Sequence, residues 1–103
     1  MTDVNEHVKA IRKFADARDW GQFHTPKNLA MAIAGEAGEL VAEFQWLTAK
    51  QSEQLSTDKL ESVGLEMADI AIYLLRLSDV LSIDLNDYIK RKMTLNEARF
   101  PSS

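Results

Sequence analysis

The sequence contains no cysteine, and it has only two prolines and four glycines in 103 residues. Without cysteine the chain has no disulfides, no thiolate metal ligands and no cysteine nucleophile. It also lacks an apolar run long enough to span a membrane. The N-terminal segment MTDVNEHVKAIRKF carries charges where a signal peptide needs an unbroken apolar stretch. We therefore expect a cytoplasmic protein that does not associate with membranes, and any metal ligands must be oxygen or imidazole.

Positive charge is also scarce. Twelve basic residues stand against 16 acidic ones, which leaves a formal net charge of −4. This balance disfavours broad binding to a phosphate backbone, so we do not expect a nucleic acid polymer as partner. With 46% apolar residues, the composition predicts one small domain, residues 1–103, with a thin core.

Apolar residues recur at helical spacing, and no useful stretch alternates with period two. Thr25 before Pro26 is a typical helix start, Thr57 or Asp58 can cap another helix, and Asp84 a further one. The polar segment before Thr57 is either a loop or a short irregular helix. We predict an all-α four-helix bundle with helices at about residues 3–19, 26–48, 57–81 and 85–98.

The second predicted helix contains GEAGELVAEFQW, which puts Glu36, Glu39 and Glu43 on an arc of about 60° beside the apolar face. The third helix repeats this arrangement with Glu66 and Asp69. Carboxylates drawn toward a core cost several kcal/mol each unless a cation compensates them. A solvated stripe is the usual reading of one such pair, but two pairs on successive helices indicate a metal site. Oxygen ligands favour Mg²⁺ or Mn²⁺, and the role of Glu43 stays open.

The two motifs, E-x-x-E and E-x-x-D with 26 intervening residues, resemble those of the MazG-like all-α nucleoside triphosphate pyrophosphohydrolases. The segments RDWGQFHTPKNL and KMTLNEARFP resemble the dCTP pyrophosphatase branch, so the resemblance covers nearly the whole chain. It implies Mg²⁺-dependent cleavage of a (deoxy)nucleoside triphosphate between the α and β phosphates, giving monophosphate and pyrophosphate. It also implies four metal ligands: Glu36, Glu39, Glu66 and Asp69.

The same resemblance implies a substrate site. Its nucleoside contacts would be Trp20, Gln22, Phe23, His24 and Trp46, and its triphosphate contacts would be Lys92 and Asn96. Tyr73 lies one turn past Asp69, and such aromatic side chains stack well on a nucleobase. A packing role stays open for Phe23 and Tyr73, and the segment around Lys92 also fits a solvated cationic face. Ile11 departs from the dCTP-specific relatives, which have a polar base-contacting residue there, so the base preference stays open.

The leading hypothesis is therefore an enzyme that removes unwanted or modified deoxynucleoside triphosphates. Carboxylate-bound metal would neutralise phosphate oxygens and activate an in-line water. Glu39 is our candidate to orient or deprotonate that water, and the sequence does not separate this role from metal ligation. The alternatives are a non-catalytic nucleotide-binding or regulatory helical module and a purely structural bundle. Both fit less well, because neither needs four costly carboxylates together.

The third predicted helix is apolar on two sides. Leu65, Ile72 and Leu75 lie roughly opposite its other apolar face, which includes Val63 and Ile70. A helix that is apolar nearly all round is buried all round, and three other helices of this short chain can hardly cover it. We therefore expect a homodimer or homotetramer, as in the MazG-like relatives.

Overall fold

A computed structural model describes residues 3–102, and within that range it is all-helical. Its helices are α1 (Val4–Ala17), α2 (Pro26–Phe44), α3 (Ala49–Ser52), α4 (Thr57–Val80) and α5 (Leu85–Arg99). The predicted all-α fold with four long helices is confirmed. Among residues 3–102, no helix combines the length and the apolarity needed to cross a membrane.

Polar side chains cap the long helices and so fix where each begins. The Thr25 hydroxyl accepts a hydrogen bond from a backbone N–H in the first turn of α2, and Asp84 does the same for α5. Both caps were predicted from the sequence. The cap predicted for α4 is wrong, because Ser56 rather than Thr57 or Asp58 accepts the bond from the first turn.

The predicted end of the second helix is also wrong. Helix α2 ends at Phe44 rather than near residue 48, because Thr48 begins a new helix. Its side chain accepts from the Gln51 N–H at 3.1 Å, and the Gln51 side chain accepts from the Thr48 N–H at 2.9 Å. This capping box satisfies two backbone donors at once. Of the two sequence-based alternatives for this segment, the short helix is therefore the one observed.

Helix α4 is central, since α2 and α1 both pack against it. Among the described residues, α5 has no comparable contact with another helix. Among residues 3–102 the buried apolar side chains are few, namely Ala15, Leu29 and Val63, whereas Leu65 and Ile72 on α4 are exposed. The radius of gyration is 16.5 Å, against about 13 Å for a compact domain of about 100 residues. A single copy thus leaves much apolar surface uncovered.

Candidate metal and nucleotide site

Packing of α2 against α4 brings the two acidic motifs together. Glu36, Glu39 and Glu66 each offer one carboxylate oxygen, and these oxygens all lie within 4.8 Å of one another. Asp69 is one turn from Glu66 on α4, and it lines a neighbouring cavity. Glu36 and Glu66 are half-buried, whereas Glu39 is exposed. The three glutamates therefore form an acidic cluster that is open to solvent on one side and could bind a metal ion.

The acidic cluster is electrostatically strained around Glu66. Burial raises the pKa of the Glu66 carboxyl, and repulsion by Glu39, Glu36, Asp69 and Glu43 raises it further, in that order. Both effects disfavour the charged form of a group in a crowded acidic site. The raised pKa also shows that Asp69 lies close enough to act on the cluster, although it is not one of the three convergent oxygens.

Hydrogen bonding leaves several of these oxygens unsatisfied. Within residues 3–102, Oε2 of Glu36, of Glu43 and of Glu66 is buried and has no hydrogen-bond partner. Buried acceptors without a partner cost free energy. Lys59 compensates Glu43 in part, with its Nζ 3.4 Å from Glu43 Oε1. In the described part of the chain no basic side chain forms an ion pair with Glu36 or Glu66. A bound cation would therefore compensate carboxylate charge that the protein itself leaves uncompensated.

A cavity of about 130 Å³ lies beside the cluster, between α1, the loop after it and α4. Aromatic and apolar side chains form most of its wall: Ile11, Phe14, Trp20, Ile72 and Tyr73. The polar side chains that line it are His24, Asp69 and Arg76. The Trp20 ring meets Phe14 and His24 edge-on, with centroids 5.6 and 6.0 Å apart. Three of the predicted substrate-binding residues, Trp20, His24 and Tyr73, thus line the same cavity as Asp69.

Five predicted substrate contacts lie elsewhere in the single chain. The Gln22 side chain donates to a backbone carbonyl of its own loop at 3.2 Å. Phe23 is 61% exposed and Trp46 is 87% exposed at the end of α2. Lys92 is exposed and Asn96 is half-buried, both on α5, away from the α2–α4 pair. None of the five lines the cavity.

Arg76 lines the cavity and was not singled out from the sequence. It stands alone as a cation in the apolar run IAIYLLRL, and its side chain is 7% exposed. The sequence does indicate that Arg76 is buried, because a helix that is apolar nearly all round must also bury a charged residue within its apolar run. Sequence reasoning assigned the carboxylates of α4 and overlooked its buried cation.

Known proteins resemble the chain in both sequence and fold. A pyrophosphatase from Archaeoglobus fulgidus, known from its crystal structure, is 40% identical and superposes with a TM-score of 0.85 over 99% of this chain and 95% of its own. The chain belongs to the MazG-like pyrophosphatase family. It falls in the dCTP pyrophosphatase branch, as predicted: it is 39% identical over 92 residues to human dCTP pyrophosphatase 1 and 40% identical over 91 residues to the bovine protein.

These two alignments cover 87% and 86% of this chain but 54% of each relative, so the chain spans about half the length of the curated relatives it matches. No protein-family model matches the chain. Family membership therefore rests on full-length similarity to the archaeal pyrophosphatase, supported by the mammalian proteins.

Proposed function

We propose that residues 1–103 form a single domain that hydrolyses (deoxy)nucleoside triphosphates to monophosphate and pyrophosphate with the help of Mg²⁺, for which Mn²⁺ can substitute. One observation carries this proposal. The convergent carboxylates of Glu36, Glu39 and Glu66 contain buried oxygens without partners, directly beside a cavity with an aromatic wall that Asp69 also lines. The names of the relatives, pyrophosphatase and dCTP pyrophosphatase 1, support the reaction and the nucleotide class.

The donor set fits a hard divalent cation. The convergent ligand atoms are all carboxylate oxygens, the kind that Mg²⁺ prefers, and Mg²⁺ usually binds through a few carboxylates together with water and substrate phosphate. We propose Glu36, Glu39, Glu66 and Asp69 as the residues that hold it. When bound, such an ion neutralises charge on the phosphate oxygens and lowers the pKa of a bound water.

The protein residues around the ion orient the substrate. A pocket for a whole ligand usually measures about 300 to 1,000 Å³, so the cavity of about 130 Å³ suits a base and leaves the phosphates outside it. Trp20 provides a ring on which a base can stack. Asp69 lines the cavity and also acts on Glu66, so the phosphates of a seated base would extend toward the carboxylates. Glu39 is the exposed member of the cluster, which supports its assignment to orienting or deprotonating water.

Pyrophosphate release from a panel of ordinary and modified deoxynucleoside triphosphates tests the proposal. We expect turnover with Mg²⁺ or Mn²⁺, loss of turnover in EDTA, and recovery when the metal is restored. Full activity after exhaustive chelation would contradict the metal site. Tight nucleotide binding without any pyrophosphate release would instead support the non-catalytic module. A preference for modified over ordinary nucleotides would support a role in clearing the nucleotide pool.

We also propose that the active protein is a homodimer or a dimer of dimers. An apolar groove of about 530 Å³ runs between α1 and α4, and Ile72 and Leu75 line it on the face of α4 that the sequence predicts to be covered by a second copy. Exposed apolar patches of this kind mark interaction surfaces. Trp46 and Lys92, which do not line the cavity in one chain, would then contribute to the site of the neighbouring copy.

Light scattering at micromolar concentration should therefore give at least twice the 11.6 kDa mass of one chain. Leu75→Arg should give an inactive monomer, because it puts a charge into the groove, whereas Leu81→Arg, at an exposed leucine that does not line the groove, serves as the matched substitution. A fully active monomer would contradict this assembly. If the proposal holds, Trp46→Ala weakens nucleotide binding by about 1 to 3 kcal/mol through lost stacking.

A further inference from the structure

Arg76 is a buried cation at the wall of the cavity that we assign to the base. Its side chain is 7% exposed, and its neighbours along α4 are apolar. A buried charge opposes folding unless partners or a ligand compensate it. The residue therefore needs an explanation beyond packing.

Two side chains hold the guanidinium in one orientation, and a third fixes one of them. Arg76 Nε donates to His24 Nδ1 at 3.0 Å, and Arg76 Nη1 forms an ion pair with Asp79 Oδ2 at 3.4 Å. Asp79 is itself bound by Arg12, whose Nε donates to Oδ2 at 2.7 Å. Two guanidinium groups thus share one carboxylate, so Asp79 holds Arg76 in place without occupying all of its donors. Such fixed groups lose little entropy when they bind a ligand.

The hydrogen bond to His24 also defines the protonation state of that ring. Burial lowers the pKa of His24, and the positive charge of Arg76 lowers it further. A neutral imidazole that accepts at Nδ1 carries its proton on Nε2. His24 therefore acts as an acceptor for Arg76 and adds no competing charge to the cavity.

Arg76 still has hydrogen-bond donors to spare. A guanidinium has five N–H groups, and the structure records partners for the Nε and Nη1 groups. Within residues 3–102, Nη2 has no hydrogen-bond partner. Asp69 and Tyr73 also line the cavity, but within residues 3–102 neither is hydrogen-bonded to Arg76. The spare donors are therefore available to a ligand in the cavity.

We propose that Arg76 determines base specificity by donating to two adjacent acceptors on the edge of the base. This inference rests on the proposed function, which puts a base in the cavity. Arginine is suited to such paired acceptors, as in its bidentate contact with O6 and N7 of guanine. Cytosine offers a similar pair in N3 and O2. Adenine and thymine have no two adjacent acceptors, because N1 and N7 of adenine flank its N6 amino group and the carbonyl oxygens of thymine flank its N3–H, so neither satisfies the fork in this way.

The test compares binding and turnover across the four bases. Non-hydrolysable α,β-imido analogues of dCTP, dGTP, dATP and dTTP are titrated by calorimetry, and kcat/KM is measured with the natural nucleotides. The variants are Arg76→Met, which keeps length and removes the donors, and Arg76→Lys, which keeps the charge but not the fork. Lys13→Met, exposed on α1, is the control for loss of one positive charge.

We expect the wild-type protein to prefer dCTP or dGTP over dATP and dTTP by about 5- to 150-fold, the range for one bidentate contact. Arg76→Met should remove that preference through weaker binding, Arg76→Lys should retain part of it, and Lys13→Met should leave it unchanged. Whether dCTP or dGTP ranks first distinguishes the two sources of the acceptor pair.

An unchanged base ranking in Arg76→Met would overturn the inference. If Arg76→Met fails to fold by circular dichroism, the wild-type ranking and Arg76→Lys decide. A wild-type protein that prefers dATP or dTTP, or an Arg76→Lys variant with full discrimination, would also overturn it. If the analogues bind with the expected ranking but no pyrophosphate is released, base recognition by Arg76 stands and the proposed hydrolysis fails.

Discussion

Glu66 and Asp79 lie on the same helix, α4, and both residues are half-buried, yet their surroundings carry opposite charge. Around Glu66 the neighbours are other carboxylates, and one of its buried oxygens has no partner within residues 3–102. Asp79 lies between Arg12 and Arg76 and accepts hydrogen bonds from both. The last turn of α4 around Asp79, here called the arginine end, thus neutralises its buried charge within the protein. The part of α4 around Glu66, here called the acidic end, does not.

The pKa directions express the same contrast. Burial and like charges raise the pKa of Glu66. The hydrogen bond from Arg12, followed by the charges of Arg12 and Arg76, lowers the pKa of Asp79 against the opposing effect of burial. A lowered carboxyl pKa stabilises the folded state near neutral pH, and a raised one destabilises it. The acidic end therefore leaves carboxylate charge for a ligand to compensate, and at the arginine end the Asp79 carboxylate supports the guanidinium groups of Arg12 and Arg76.

Loss of a carboxylate at the acidic end should have the largest effect. We expect Glu39→Gln or Asp69→Asn to lower kcat by at least about 100-fold, because in the proposed mechanism charge stabilisation in the transition state depends on a metal bound by these residues. The fold should persist, with equal or greater stability in the absence of metal, because one repulsive charge is gone. Pyrophosphate release and thermal unfolding are the measurements.

Glu61→Gln on exposed α4 surface is the matched control, since it makes the same chemical change outside the cluster. Its activity and melting temperature should equal those of the wild-type protein. Near wild-type turnover in Glu39→Gln or in Asp69→Asn would refute the assignment of these four acids to the metal site.

Sequence reasoning predicted the features of this molecule that depend on local spacing. The apolar period gave the four long helices, and the repeated acidic motif predicted the pairing that brings Glu36 and Glu39 close to Glu66. The end of α2 was missed, because the capping box of Thr48 competes locally with continuation of the helix. The pair Thr48 and Gln51 is itself a sequence signal for a capping box. The apolar residues before Thr48 favour a longer helix, and they led to the wrong helix end.

The cavity could not be predicted in the same way. Which side of α4 meets α1 is a tertiary property, and it decides that Arg76 lies beside His24 although 52 positions separate them. The exposure of Trp46 is likewise not decided by one chain, because a second copy would change it. Site residues that are related by their spacing along one helix could therefore be predicted from the sequence, whereas residues that meet across different helices could not.

The second prediction is that removal of a carboxylate charge changes the free energy of unfolding in opposite directions at Asp79 and at Glu66. Asp79→Asn should lower the free energy of unfolding by about 1 to 3 kcal/mol, because the buried guanidinium of Arg76 loses a charged partner. Glu66→Gln should instead raise it in metal-free buffer, because it removes repulsion. Chemical denaturation of both variants, with Glu61→Gln as reference, measures the difference. Equal destabilisation by both substitutions would show that the two ends do not differ as described.

The last and smallest effect concerns the pH dependence of the arginine end. The pKa of His24 in the folded protein is lowered by burial and by Arg76, whereas the unfolded chain has a value of about 6.5. Between these two pKa values the unfolded state binds a proton that the folded state does not. The free energy of unfolding should therefore be constant above about pH 6.5 and fall as the pH drops below it, by at most about 1.4 kcal/mol per pH unit.

His24→Asn isolates this contribution, because its amide oxygen can still accept from Arg76 but does not titrate. Trp20 and Asp69 share the cavity with His24 and are present in both proteins, so the difference between the two stability curves removes their effect. We expect the curves to be parallel above pH 7 and to diverge toward pH 5.5, with the wild-type protein losing more stability. Curves that stay parallel down to pH 5.5 would show that His24 is free to protonate in the folded state, and the hydrogen bond from Arg76 would then not hold it neutral.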